Sequence, residues 1–229
     1  MRTILYPKAF RVVVQTQSAA DFFKNLRNLL VIPNAVKKPS LQKITALDQA
    51  KHIISVGRLC PFKGFDTLIQ AFARLYSNYP HLRLTIYGEG NEREHLQSLI
   101  NSLNLQERVS LPGATQEIHQ KLVEADLFVF PSLYEGFPNA LAEAMSAGLP
   151  VIASNCSGNI DIVRDGMDGR LFPVGDVLKL AALMEELVCD PNTRGHLGEE
   201  AKTVAERFHP DLIFHKWDQL IREATGQII

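Results

Sequence analysis

Apolar positions along this chain alternate between two periods. The runs FRVVVQT (10–16), IISV (53–56), LTIY (84–87) and DLFVF (126–130) each centre on consecutive or nearly consecutive apolar residues, as strands buried on both faces do. Between them, apolar residues recur every three or four positions, the period of an amphipathic helix. The pattern predicts strands over 10–16, 52–56, 82–87, 109–111, 126–130 and 150–153. It predicts helices near 65–79, 92–103, 118–124, 139–147, 177–188, 193–206 and 211–224. An earlier helix should be capped by Ser18 and carry Phe22, Phe23, Leu26, Leu29 and Leu30 on its apolar side. Val31-Ile32-Pro33-Asn34 closes that unit, and residues 35–50, polar and without clear period from 37 on, are expected to form a linker. Short strands flanked by helices imply βαβ units, a parallel sheet and an α/β fold. Right-handed crossovers align the strand C-termini along one edge, where ligands of open α/β sheets bind.

Composition narrows the class. The 229 residues are 46% hydrophobic and 21% charged, as in a globular protein and unlike a disordered or collagen-like one. The length fits one large domain or a domain with appendages. No apolar run approaches the ~18 residues of a membrane span, and the opening MRTILYP is too short for a signal-peptide core. Cys60, Cys156 and Cys189 form no Cys-x-x-Cys pair, which argues against a disulfide framework or zinc knuckle and for a cytoplasmic setting.

Charge is unevenly distributed. Residues 1–63 hold 11 Lys and Arg against only Asp21 and Asp48, a net of +9, and the rest carries −10. A basic front end is either a solvated face or a surface for phosphates or an anionic membrane. No basic cluster interleaved with aromatics occurs, so no nucleic-acid partner is expected.

The candidate chemistry follows the strands. Gly57-Arg58-Leu59-Cys60-Pro61-Phe62-Lys63-Gly64 leads from a strand into a helix, whose N-terminal N–H groups and dipole favour anions. Two fixed cations there would make a diphosphate site; otherwise the glycines turn the chain and the cations face water. The second loop, Ser132 to Asn139, opens the helix that carries Leu141 and Glu143. Gly136 permits a turn free of side chain, and Pro138 suits a first helical position. Amides near 137–140 would point at an anion, while Glu135 and Glu143 suit sugar and ribose hydroxyls. The third loop, Ser154-Asn155-Cys156-Ser157-Gly158-Asn159-Ile160-Asp161, is small, polar and turn-forming.

Taken together and in order, these stretches resemble retaining glycosyltransferases of family 4, which have the GT-B fold. Gly57-Arg58 with Lys63-Gly64 resembles the phosphate loop, and Glu135-Gly136-Phe137-Pro138-Asn139 through Glu143 the Glu-x(7)-Glu motif. LRLTIYGEG (82–90), VSLPG (109–113), GLPVIA (148–153), Asp165-Gly166, Gly169-Arg170-Leu171-Phe172 and Val31-Ile32-Pro33-Asn34 extend the likeness over residues 10–224. Pro112, Cys156-Ser157-Gly158 and Asp161 depart from the usual pattern. The resemblance implies the C-terminal half of a GT-B fold, a Rossmann-like parallel sheet flanked by helices, plus an N-terminal strand-helix remnant. Residues 1–34 would be the remnant of the acceptor domain, 51–206 the nucleotide-sugar-binding domain, and 207–229, with Trp217, a closing helix packed back toward the missing half.

By that resemblance the activity is hexosyl or N-acetylhexosaminyl transfer from a nucleotide sugar, UDP-sugar first, to a glycan or lipid-linked acceptor in polysaccharide assembly. Arg58 and Lys63 would stabilise the leaving phosphate, Glu135 would bind donor-sugar hydroxyls, and Glu143 the ribose. Gly57 and Gly136 would shape the two loops, Phe137, Pro138 and Asn139 would line the sugar pocket, and Leu141 would lie near ribose or phosphate. No Asp-x-Asp occurs, so neither a metal nor another cofactor is expected. The missing half, or a partner supplying it, would be needed for transfer, and peripheral association with the inner membrane face is expected. A glycosidase could instead use Glu135 and Glu143 as acid and nucleophile, but would leave Arg58 and Lys63 without purpose. A dinucleotide site at Gly88-Glu89-Gly90 lacks the third glycine, because position 93 is Arg93. The alternative kept open is a non-catalytic nucleotide-sugar-binding or subunit-docking module.

Overall fold

The computed structural model describes residues 2–41, 43 and 50–226. In chain order its elements are α1 (Arg2–Leu5), β1 (Val12–Val14), α2 (Gln17–Phe22), β2 (Leu29–Val31), β3 (His52–Val56), α3 (Phe65–Leu75), β4 (Arg83–Tyr87), α4 (Arg93–Ser102), β5 (Val109–Gly113) and α5 (Ile118–Glu124). There follow β6 (Leu127–Phe130), α6 (Asn139–Ser146), β7 (Val151–Ser154), α7 (Asn159–Ile162), β8 (Arg170–Phe172), α8 (Val177–Cys189), α9 (Pro191–Ala201), α10 (Val204–Arg207) and α11 (Pro210–Thr225). Single 3-10 turns occupy Tyr6–Lys8 and Pro61–Lys63.

The main sheet has six parallel strands in the order β5-β4-β3-β6-β7-β8. The chain builds outward from β3 in one direction and then returns to build outward from β6 in the other. This is the doubly wound arrangement, and its switch point lies between β3 and β6. Alternate side chains along each strand face opposite layers. Ile53, Leu84, Ile86, Val109, Leu127, Val129 and Ile152 share one buried cluster with α3, α4 and α8. Ile54, Phe128, Phe130, Val151 and Ala153 share the other with α5, α6 and α10. Ile53 and Ile54 are both fully buried, which accounts for the unbroken apolar runs of the sequence. On α3, Phe65, Leu68, Ile69, Phe72 and Leu75 form one stripe against Leu180, Leu183, Met184 and Leu187 of α8.

The N-terminal piece is shorter in helix than its sequence predicts. α2 ends at Phe22, and Thr16 caps it: its Oγ1 accepts from the Ala19 amide. Leu29 and Leu30, expected on a helix, instead lie in β2, which pairs in parallel with β1. Phe22 is 79% exposed. A pattern of period three to four was satisfied by a turn of helix followed by a strand, because β1 offered a pairing partner.

α11 packs through Ile213 and Leu220 onto Ile32, Val13 and Leu30, joining the two-stranded sheet to the end of the chain. The expected linker is anchored where it is described: the Val36 amide donates to the Phe208 carbonyl, and the Lys43 amide to that of Ala147. Positions 42 and 44–49 of that segment lie outside the described residues. The helix predicted over 193–206 is divided into α9 and α10. Asp168, fully buried, accepts from Arg164 Nε at 2.6 Å and Arg207 Nη1 at 3.0 Å, fixing the turn before β8 against α10.

Candidate functional site

The first and second candidate loops leave the C-terminal ends of β3 and β6, so they meet at the switch point. Gly64, at φ +62°, has the left-handed conformation that favours glycine, and a Cβ there would lie 2.3 Å from the Pro131 carbonyl oxygen. The Leu133 amide donates to the Phe62 carbonyl at 2.8 Å. These contacts lock the two loops side by side.

Lys63 and Glu135 come together there. Lys63 Nζ donates to Glu135 Oε1 at 2.5 Å, and the two side chains are 22% and 12% exposed. The ammonium also lies 5.0 Å from the centroid of Phe130. Arg58 is exposed, and among the described residues its guanidinium has no ion-pair partner. One loop therefore presents a cation held by a carboxylate and a cation free to meet an anion.

The helix end contributes amides. α6 begins at Asn139, where the apolar pattern places it, and Pro138 is its N-cap and not its first helical residue. The Asn139 amide turns back to the Phe137 carbonyl at 3.0 Å. The Ala140 and Leu141 amides have no backbone acceptor among the described residues. The side chains of Phe137 and Leu141 are buried, that of Phe137 edge-on to Phe208, so these residues offer the site backbone and not side chain.

Glycine is required at a different place from the one expected. A Cβ on Gly136 would meet only Gln15 Oε1, at 3.9 Å. Gly158 of the third loop, at φ +87°, has the Glu135 and Gly136 carbonyl oxygens 2.7 Å from where its Cβ would be. The third loop thus approaches the second loop's backbone closely, and Ser154 Oγ donates to the Ser132 carbonyl. Asn159, fully buried, donates to the Ser154 carbonyl at 3.0 Å. Cys156 sits beneath, and burial pushes its thiol above its ordinary range. Gly88 and Gly90 serve packing too. Their Cβ atoms would lie 1.8 Å from the Gly57 oxygen and 2.1 Å from the Leu59 oxygen, so these glycines let the β4–α4 turn press on the first loop.

Glu135 and Glu143 have different surroundings. Glu135 lines a cavity of about 630 Å³ with Tyr6, Ser18, Tyr134 and Ser157. Glu143, half-buried on α6, lines another of about 380 Å³ with Lys37, Lys38, His119 and Asn139. Burial pushes the Glu143 carboxyl above its ordinary range, with His119 opposing. The N-terminal piece forms part of the site's wall. Gln15 Nε2 donates to Asn34 at 2.6 Å, and Asn34 Nδ2 to Asn139 at 2.9 Å. The Ser18 amide donates to Asp161 at 3.1 Å. Among the described residues, no three His, Cys, Asp or Glu side chains converge as metal ligands would. No described helix is long and apolar enough to cross a membrane.

Sequence reasoning missed the Gln15–Asn34–Asn139 relay and the Phe130 contact to Lys63. Neither has a spacing signature, because each joins residues distant in the chain.

The profile of a family described as "Glycosyl transferases group 1" matches residues 36–204. The lipopolysaccharide core biosynthesis glycosyltransferase LpsE of Rhizobium meliloti is 30% identical over 222 residues, 92% of this chain and 63% of LpsE. An exopolysaccharide phosphotransferase of Streptomyces coelicolor is 36% identical over 201 residues, 87% of this chain but 21% of its own length. Among solved structures, a TarM variant of S. aureus in complex with fondaparinux, alpha-GlcNAc-glycerol and UDP superposes with a TM-score of 0.87 at 25% identity, covering 94% of this chain and 44% of TarM. The chain therefore spans between about a fifth and somewhat under two thirds of these proteins.

Proposed function

Since the chain belongs to the glycosyl transferases group 1 family, we propose that it is the donor-binding half of a retaining, metal-independent glycosyltransferase that uses a nucleotide sugar. The observation that carries the reading is the meeting of Arg58, Lys63, Glu135 and the α6 N-terminus at the switch point of a doubly wound sheet.

Transfer breaks the bond between the anomeric carbon and a nucleoside diphosphate. Negative charge grows on the departing phosphate and positive charge on the sugar. Arg58, Lys63 and the amides of Ala140 and Leu141 meet the first; charge-assisted contacts are the strong ones. Gly57 keeps the loop close to the phosphates. Glu135 accepts from donor-sugar hydroxyls, beside Gly136, Phe137, Pro138 and Asn139, and Glu143 accepts from the ribose. Glu135 holds Lys63, so an arriving diphosphate exchanges with or shares that partner. Attack comes from the face the phosphate leaves, with configuration kept and the phosphate taking the acceptor's proton. The 630 Å³ cavity beside Glu135, walled in part by Tyr6, Thr16 and Ser18, favours a sugar or its acceptor there.

UDP is the preferred nucleotide, and TarM was solved with UDP. The acceptor is a glycan or lipid-linked glycan, in keeping with the lipopolysaccharide role of LpsE. The basic N-terminal stretch fits a peripheral site on an anionic membrane. The acceptor half is supplied by further chain or by a partner. Calorimetric titration with UDP, GDP, ADP and NAD, with and without EDTA, tests the donor site. Tight UDP binding insensitive to EDTA supports it; binding of NAD alone refutes it.

A further inference from the structure

The sheet edge opposite the donor loops holds a second concentration of hydrogen-bond donors. A cleft of about 660 Å³ lies over the first residues of β3, β4 and β5, lined by Lys51, His52, His81, Arg83, Arg108 and Ser110 among others. Its floor is one face of the sheet. His52 pairs in register with Arg83, and Thr85 with Ser110, so these four side chains share a face. Further along that face, Ile118 and Leu122 of α5 pack with Ile54 and Tyr87. α5 has seven residues and leaves the start of β4 and β5 uncovered. The reverse face of the same strands is buried through Leu84 and Val109.

The uncovered face is polar and ordered. His52 Nε2 lies 3.0 Å from Thr85 Oγ1, and Ser110 Oγ donates to Thr85 Oγ1 at 3.3 Å. Arg83 Nη1 donates to the Glu107 carbonyl at 3.1 Å, which fixes its guanidinium at the rim. The carboxylates nearby are engaged elsewhere. Asp126 accepts from Lys43 and from the Lys51 and His52 amides, and Glu124 accepts from Lys121 and Gln120. Only Glu107 among the lining residues is acidic. Several cations elsewhere in the fold are paired, as Arg164 and Arg207 are on Asp168 and Arg170 is on Glu186, while others, Arg58 among them, are not. Here Lys51 and Arg108 have no side-chain partner among the described residues. Lys51, Arg83 and Arg108 against the single carboxylate of Glu107 leave one concavity with an excess of positive charge, which attracts an anion.

We propose that this cleft binds a multiply charged phosphate anion, at a site separate from the donor loops. Arg83 and Arg108 form charge-assisted contacts with it, and Lys51 supplies a point charge. The strands are five residues long, which places the two sites at least ~16 Å apart along the sheet.

Inorganic pyrophosphate is the probe, followed by calorimetry and amide chemical-shift mapping at ~0.15 M salt, where weak surface attraction is screened. The wild-type chain should show two events, one shifting the amides of residues 57–64 and one those of residues 83–85 and 108–110. Arg83→Ala/Arg108→Ala should abolish the second, by tenfold or more in affinity, and leave the first. Arg108→Gln, which preserves bulk, should weaken the second alone, and unchanged thermal melting shows that the fold survives. Lys63→Ala should remove only the first, so failure of the donor reading and failure of this one are separable. Absence of shifts at Thr85 and Ser110, equal affinity in the double variant, or a response reproduced by neutral sugar overturns the proposal.

Discussion

Replacing either partner of the Lys63–Glu135 pair should move nucleotide affinity in opposite directions. The ammonium and carboxylate are 2.5 Å apart and mostly covered, with exposures of 22% and 12%. Fully exposed pairs contribute ~0.2–1 kcal/mol, and this covered pair belongs at the upper end. A diphosphate that recruits Lys63 must therefore displace an interaction of ~1 kcal/mol. Glu135→Gln retains the shape, removes that competitor, and removes a negative charge facing the incoming anion. UDP should bind about fivefold more tightly, since 1.4 kcal/mol is ~tenfold. Lys63→Ala removes a charge-assisted contact of ~1.5–3 kcal/mol and leaves Glu135 facing the phosphates uncompensated. UDP affinity should fall ~10–100-fold. The double variant should recover part of that loss, and the cycle's non-additivity measures the pair. With a nucleotide sugar in place of UDP, the gain in Glu135→Gln should shrink or reverse, because Glu135 then loses hydroxyl contacts. The assay is isothermal titration at fixed salt, with melting curves to verify the fold. If Glu135→Gln weakens UDP as much as Lys63→Ala does, the carboxylate is not a competitor for the cation and the reasoning fails.

The remaining predictions concern burial, backbone and completeness. Burial raises the Glu143 carboxyl above its ordinary value of 4.5, so the folded state binds that proton more tightly than the unfolded one and loses stability as pH rises through the raised value. Glu143→Gln should therefore melt higher than wild type at pH 7, with the gap closing below about pH 4, while losing affinity for UDP but not for pyrophosphate; scanning calorimetry across pH checks the first and titration the second. Gly88→Ala places a Cβ 1.8 Å from the Gly57 oxygen at φ +149°, and should lower the melting temperature by more than ~6 °C, taking ~3 kcal/mol of strain at ~2–4 °C per kcal/mol; an unchanged melt would refute that packing. The chain alone should bind UDP with EDTA present yet transfer no sugar, since catalysis needs both substrates within ~3–3.5 Å; robust turnover by the isolated chain, or binding that requires magnesium, would overturn the reading.

Much of the architecture was legible because its signals are local. Apolar runs such as 126–130 mark strands, stripes such as Phe65, Leu68, Ile69 and Phe72 mark helices, and a glycine-bounded loop after a strand marks a candidate anion site. The weakest segments were those whose conformation is chosen by a partner. Leu29 to Val31 carry apolar side chains that serve a helix or a strand equally, and pairing with β1 decided for the strand. α7 and β8 are too short to show a period, and each depends on neighbours distant in the chain.

The sequence by itself determined the α/β class, the order of most elements and the residue types at the switch point, since these follow from periodicity and turn chemistry over short windows. Tertiary structure alone decided which of those residues meet. It paired Lys63 with Glu135 across 72 positions, set Glu143 in a different cavity, and transferred the glycine requirement from Gly136 to Gly158. It also left the polar start of β4 and β5 uncovered. Such contacts depend on strand order and loop apposition, and strand order is fixed only when every buried face finds its cover at once.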